Sequence, residues 1–106
     1  MVNITFKSGG GKYRLEMEGH ATKNPAVCAA CSALAYTFLG WAANADLIGK
    51  ARLRDVEDKQ GYMRLEFESE APEAETVSEA IMLGFLQIEQ AHPELVSITE
   101  ERENAS

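Results

Sequence analysis

The chain has 106 residues, with 17 acidic against 10 basic side chains and a formal charge of −7. That length allows one domain with one core, and an apolar share of 45% excludes a disordered chain, a collagen and a coiled-coil rod. Residues 1–64 hold nine bases and six acids, whereas residues 65–106 hold one base, Arg102, and eleven acids. This balance argues against a nucleic-acid partner, which calls for a basic patch.

The longest low-charge stretch, Asn24–Ala45, is interrupted by Pro25, Ser32, Thr37, Gly40 and Asn44. No membrane span is expected from it. Met1-Val2-Asn3 lacks the basic-then-apolar pattern of a signal peptide. The expected compartment is the cytoplasm, where Cys28 and Cys31 are expected as thiols rather than a disulfide.

Val2, Ile4 and Phe6 alternate with polar residues, the period of a half-buried strand. Ser8-Gly9-Gly10-Gly11-Lys12 reads as a hairpin turn. Tyr13, Leu15 and Met17 then mark a second strand, which the chain leaves at Gly19-His20-Ala21. After a loop over Thr22–Pro25, Asn24 suits a helix N-cap and Pro25 a first helical turn. From Ala26 to about Ala43 the residues are small or apolar on every side. This predicts a buried first helix lying between two layers, or between the sheet and a second subunit. Asn44 is expected to end it.

Lys50–Val56 and Tyr62–Glu68 read as a second hairpin around the turn Glu57–Gly61. Glu73–Ala91 reads as a second helix with Val77, Ala80, Ile81, Gly84, Leu86 and Ile88 toward the core. Glu73, Glu75 and Glu79 lie in its early turns, where the helix dipole favours anions, and Pro93 stops it. Leu95–Thr99 is a closing strand. The predicted fold is a single α+β domain over residues 1–100, of order ββαββαβ, with antiparallel hairpins and a polar tail over 101–106.

Few residues carry chemistry. Cys28-Ala29-Ala30-Cys31 is formally a C-x-x-C, but a zinc site needs a second pair of soft ligands, and His20 and His92 form none. No metal and no cofactor are expected. A redox motif belongs between a strand and a helix of a βαβ unit, which is the wrong context here. Gly9-Gly10-Gly11-Lys12 precedes a strand, so the helix N-terminus of a phosphate loop is missing.

Cys28 stands three residues after Pro25, in the first turn of the predicted helix, where free N–H groups and the dipole favour a thiolate. His20 ends the preceding strand and has a loop with which to approach it. The spacing alone leaves two readings open: a nucleophile with its partner, or a small buried hydrophobe. Cys31 lies deeper in the same helix and reads as core. Ser32 stands one turn after Cys28. His92 reads as a structural residue at a helix C-terminus.

Gly19-His20-Ala21, Val27-Cys28-Ala29-Ala30 and Ser32-Ala33-Leu34 resemble the ribosomal-processing cysteine protease (Prp) family. Met82-Leu83-Gly84-Phe85-Leu86 and His92-Pro93 are similar to its second helix and ending, so the resemblance spans nearly the whole chain. It implies a homodimeric α+β enzyme with Cys28 as nucleophile, His20 as its partner and Ser32 in support. The implied activity is removal of an N-terminal extension from a large-subunit ribosomal protein, or processing of a phage capsid or scaffold protein. Two features depart from the family pattern. The His–Cys loop spans only Ala21–Val27, and Pro25-Ala26-Val27 stands where relatives often carry Asp-Ile-Val. These departures set an alternative beside the enzyme: a non-catalytic relative that binds a peptide or ribosomal partner without cutting it.

Overall fold

The structure, a computed structural model, describes residues 1–21 and 23–103. Its elements follow the order ββαββαβ: β1 Val2–Gly9, β2 Lys12–Gly19, α1 Pro25–Leu47, β3 Arg52–Lys59, β4 Tyr62–Glu68, α2 Pro72–Ala91 and β5 Val96–Arg102. The strands form one five-stranded mixed sheet in the order β3-β4-β2-β1-β5. Both hairpins and the β2–β4 pair are antiparallel, and β5 runs parallel to β1.

Strand parity explains the layering. Val2, Ile4 and Phe6 of β1, Tyr13 and Leu15 of β2, and Met63, Leu65 and Phe67 of β4 are all buried, and the register places them on one face. Both helices cover that face. Phe38 of α1 sits among Phe6 and Phe67, with an edge-to-face contact to Phe67 at 5.3 Å, and Tyr13 stacks on Phe67 at 4.9 Å. The other face is a polar lattice. Arg14 pairs with Glu66 at 2.7 Å, and Arg64 pairs with Asp55 at 2.7 Å and Glu57 at 3.0 Å. Alternating apolar and polar residues therefore produce one covered and one open face.

Several boundaries move. The first hairpin turns on Gly10-Gly11 alone, with Gly9 paired to Lys12. The second turns on Gln60-Gly61, so β3 runs on to Lys59 where a longer turn was expected. Asn44 does not end α1: its side-chain amide donates to the Gly40 carbonyl at 2.9 Å, which keeps it inside the helix. The stop comes at Gly49, where the Lys50 N–H reaches the Ala45 carbonyl at 2.8 Å and the Gly49 N–H reaches Asp46 at 3.2 Å. This is a Schellman closure. Glu100–Arg102 belong to β5, paired with Phe6–Ser8, rather than to a free tail. Residues 104–106 of the expected tail, and Thr22 of the expected loop, lie outside the described residues.

On its own, the chain buries α1 along one stripe: Val27, Cys31, Ala35, Phe38, Ala42 and Ala45. The opposite stripe, including Ala29, Ala33, Tyr36 and Leu47, is exposed. An 18-residue window of α1 has a mean hydropathy of 1.6, so by length and composition this helix is apolar enough to cross a membrane. The interruptions in Asn24–Ala45 do not remove that property. Here the buried stripe packs on the sheet. In α2 the buried positions are Ala74, Ser78, Ile81, Met82 and Phe85, while Ala80 is exposed.

Candidate active site

The site is built where β2 ends. Gly19 has φ +105°, and a Cβ there would stand 2.2 Å from the Met1 carbonyl oxygen. Only glycine allows the first residues of the chain to cross so closely. The Gly19 N–H donates to the Gly61 carbonyl at 2.9 Å, tying the end of β2 to the second hairpin turn. His20 follows with an exposed side chain, and its carbonyl accepts from the Met1 amino group at 2.9 Å.

From there the chain folds back onto the helix. The Asn24 N–H donates to the Ala21 carbonyl at 3.0 Å, and the Val27 N–H to the Asn24 carbonyl at 3.1 Å. Asn24 is the N-cap residue, but its side chain makes no capping hydrogen bond, and Pro25 opens the helix with no N–H to satisfy. The buried Ala21 aims its N–H at Cys28 Sγ, 3.0 Å away. That bond fixes the sulfur, partly buried, against the wall of a cleft of about 340 Å³.

His20, Cys28 and Ser32 all line this cleft, so the structure brings the three residues singled out in the sequence to one place. Cys28 and Ser32 come from the first turns of α1 and His20 from the end of β2. Among the described residues, the hydrogen bond made to the Cys28 sulfur comes from Ala21 rather than from the His20 ring. The floor is apolar and includes Val2, Met17 and Met63. Cys31 also borders it but is 1% exposed, and burial pushes its thiol up to about 11, with the Cys28 charge adding to the rise. The helix therefore carries one accessible sulfur and one buried sulfur. Among the described residues no three His, Cys, Asp or Glu side chains converge on a point where an ion would sit. His92 stands apart at the end of α2, near Glu94 at 3.9 Å.

The far wall of the cleft was not anticipated. It is the β3–β4 turn, from Asp58 to Tyr62. The Tyr36 hydroxyl, two turns along α1 from Cys28, donates to the Asp58 carboxylate at 2.8 and 3.0 Å. This bond, then desolvation and last the carboxylate charge, hold the Tyr36 hydroxyl above its usual range. The Tyr62 hydroxyl donates to Glu16 at 2.7 Å and accepts from Arg64 at 3.0 Å. The one signal for this wall was the parity of β4. With a two-residue turn, Asp58 pairs with Met63 and so shares the helix face.

A thiol on the first turns of a helix, sharing a cleft with an imidazole from a strand end, is the arrangement of a cysteine hydrolase. The chain belongs to the cysteine protease Prp family, whose model matches residues 1–97. No curated protein matches the sequence. Among solved structures the chain is similar to Prp of S. aureus, a ribosomal processing protease, in complex with a covalently linked product peptide. The TM-score is 0.74 at 22% identity, covering 94% of this chain and 99% of that one. The same protease with a substrate peptide gives a TM-score of 0.70 at 21% identity, with the same coverage of 94% and 99%. SMU.848 from Streptococcus mutans gives 0.73 at 21%, covering 97% of this chain and 96% of that one. At these identities the likeness establishes the common fold.

Proposed function

We propose that this cysteine protease works through Cys28, with His20 as proton carrier and Ser32 in support, and that it removes an N-terminal extension from a large-subunit ribosomal protein. The observation that carries the reading is the single cleft that His20, Cys28 and Ser32 share, with Cys28 Sγ held by the Ala21 N–H. The S. aureus Prp structures with substrate and with covalently linked product peptide support a peptide substrate by analogy. A cytoplasmic site of action goes with a ribosomal substrate.

In this mechanism His20 takes the Cys28 proton, and the thiolate attacks the scissile carbonyl carbon. A C–S bond forms and the carbonyl electrons move to oxygen. N–H groups at the start of α1, where Pro25 offers none, receive that oxyanion. His20 returns the proton to the leaving nitrogen as the C–N bond breaks. Water, deprotonated by His20, then hydrolyses the thioester. No step uses Cys31.

The exposed stripe of α1 supports a second part of the proposal, a homodimer formed across it. Leu47 and Ile48, at its end, are 82% and 69% exposed. The short His–Cys loop and the missing acid before Cys28 favour the alternative of a peptide-binding relative that does not cut. A phage structural protein is the other substrate to be compared. The test is cleavage of a peptide carrying the ribosomal extension, beside a phage-derived peptide, with Cys28→Ala as control. Loss of cleavage in the variant supports the enzyme. Binding without cleavage by the unmodified protein supports the alternative.

A further inference from the structure

Gly61 sits directly against the His20 ring. A Cβ built on Gly61 would lie 2.6 Å from His20 Nε2 and 3.3 Å from Cε1, while ordinary carbon contacts begin near 3.5 Å. Residue 61 also has φ +78°, in the second position of the β3–β4 turn. Two ties keep this turn from retreating. Its Gly61 carbonyl accepts from Gly19 N–H at 2.9 Å, next to His20 in the chain. Three residues earlier, Asp58 is held by Tyr36 on the helix that carries Cys28.

We propose that the β3–β4 turn is the positioning element of the site, with Gly61 as the seat of the His20 ring and the Tyr36–Asp58 pair fastening that seat to the Cys28 helix. The inference rests on the proposed roles of Cys28 and His20. The His20 side chain is exposed, and among the described residues no hydrogen bond holds its ring. A bare Cα on the turn gives the imidazole a flat surface at contact distance. A methyl group there has to push the ring away by about 1 Å, because the turn is fixed on both sides and the ring is free to swing. A displacement of that size costs on the order of 10²-fold in rate when it falls on a catalytic group. Gly61 and Tyr36 are thus positioning residues, acting through His20 and Cys28.

The experiment uses the full chain. The sequence holds two histidines, so His92 is an internal reference for His20 in a ring proton–carbon spectrum. Gly61→Ala is expected to move the His20 ring resonances and leave those of His92 in place. Tyr36→Phe, which removes the tie without adding bulk, is expected to move them by a smaller step. Gly49→Ala is the control for backbone cost, since Gly49 has φ +76° with nothing near its Cβ position; it is expected to leave both histidines unchanged. On a cleavable peptide the Gly61→Ala loss is expected in kcat, roughly tenfold or more, with KM little changed. His20 resonances that coincide with the unmodified protein in Gly61→Ala overturn the inference. Failure of the underlying reading looks different: His20→Ala then leaves both cleavage and the alkylation rate of Cys28 unchanged, whatever the Gly61 spectra show.

Discussion

A thiol reagent applied to the folded chain at about pH 7.5 should modify Cys28 and spare Cys31. Burial raises the Cys31 thiol from 9.0 to about 11. Its thiolate fraction at that pH is then on the order of 3 × 10⁻⁴, about a hundredfold below that of an unshifted thiol. With the residue 1% exposed, the reagent also lacks access. The same shift makes stability depend on pH. The unfolded thiol loses its proton first, so between about pH 9 and 11 the unfolded state binds fewer protons than the folded one. The stabilisation is complete below about pH 9 and is lost as pH rises through 11, by up to about 3 kcal/mol. A brief iodoacetamide pulse, followed by fragment mass spectrometry, should find one label in the native chain and two in denaturant. Urea unfolding at pH 8, 9 and 10 should show the onset of the alkaline loss, and Cys31→Ala should remove it. Equal labelling of both sulfurs in the native chain, or an undiminished loss between pH 9 and 10 in Cys31→Ala, would refute the reasoning.

Cys28→Ala should abolish cleavage and change stability by less than about 1 kcal/mol, since one partly buried sulfur is removed; circular dichroism and a peptide assay check both. Phe38→Ala should cost about 3–5 kcal/mol in urea unfolding, because it opens the space between Phe6 and Phe67. The Tyr13 hydroxyl is pushed up to about 12 by burial and then by Glu75, so a further alkaline loss should appear between about pH 10 and 12 and shrink in Tyr13→Phe. Light scattering should give a dimer mass for the unmodified chain and a monomer mass for Leu47→Glu; a monomer without the substitution would remove the proposed use of the exposed α1 stripe.

The elements themselves were legible because their signals are local. Alternation at Val2, Ile4 and Phe6, and again at Met63, Leu65 and Phe67, specifies strands and the side that each buries. Pro25 opens α1 and Pro93 follows α2, for reasons contained within one turn of chain. Cys28 and His20 were noticeable from their neighbours, a thiol near a helix start and an imidazole at a strand end, but that spacing left two readings open and their roles were implied by the family resemblance. Asn44 misled because its side chain could serve a loop or, as found, bond back to Gly40 within the helix.

What lay beyond the sequence were contacts between residues far apart in the chain. The parallel pairing of β5 with β1 depends on where α2 delivers the chain, which no local pattern encodes. Gly61 read only as a turn residue until the ladder between β2 and β4 brought it against His20, 41 positions away by residue number (61 − 20). Tyr36 read as part of a buried helix and Asp58 as a turn residue until the hairpin register set Asp58 on the helix face. Local propensity and period act over a few residues and are written in them. The cleft is defined by which elements pack side by side, and that is decided only when the whole core closes.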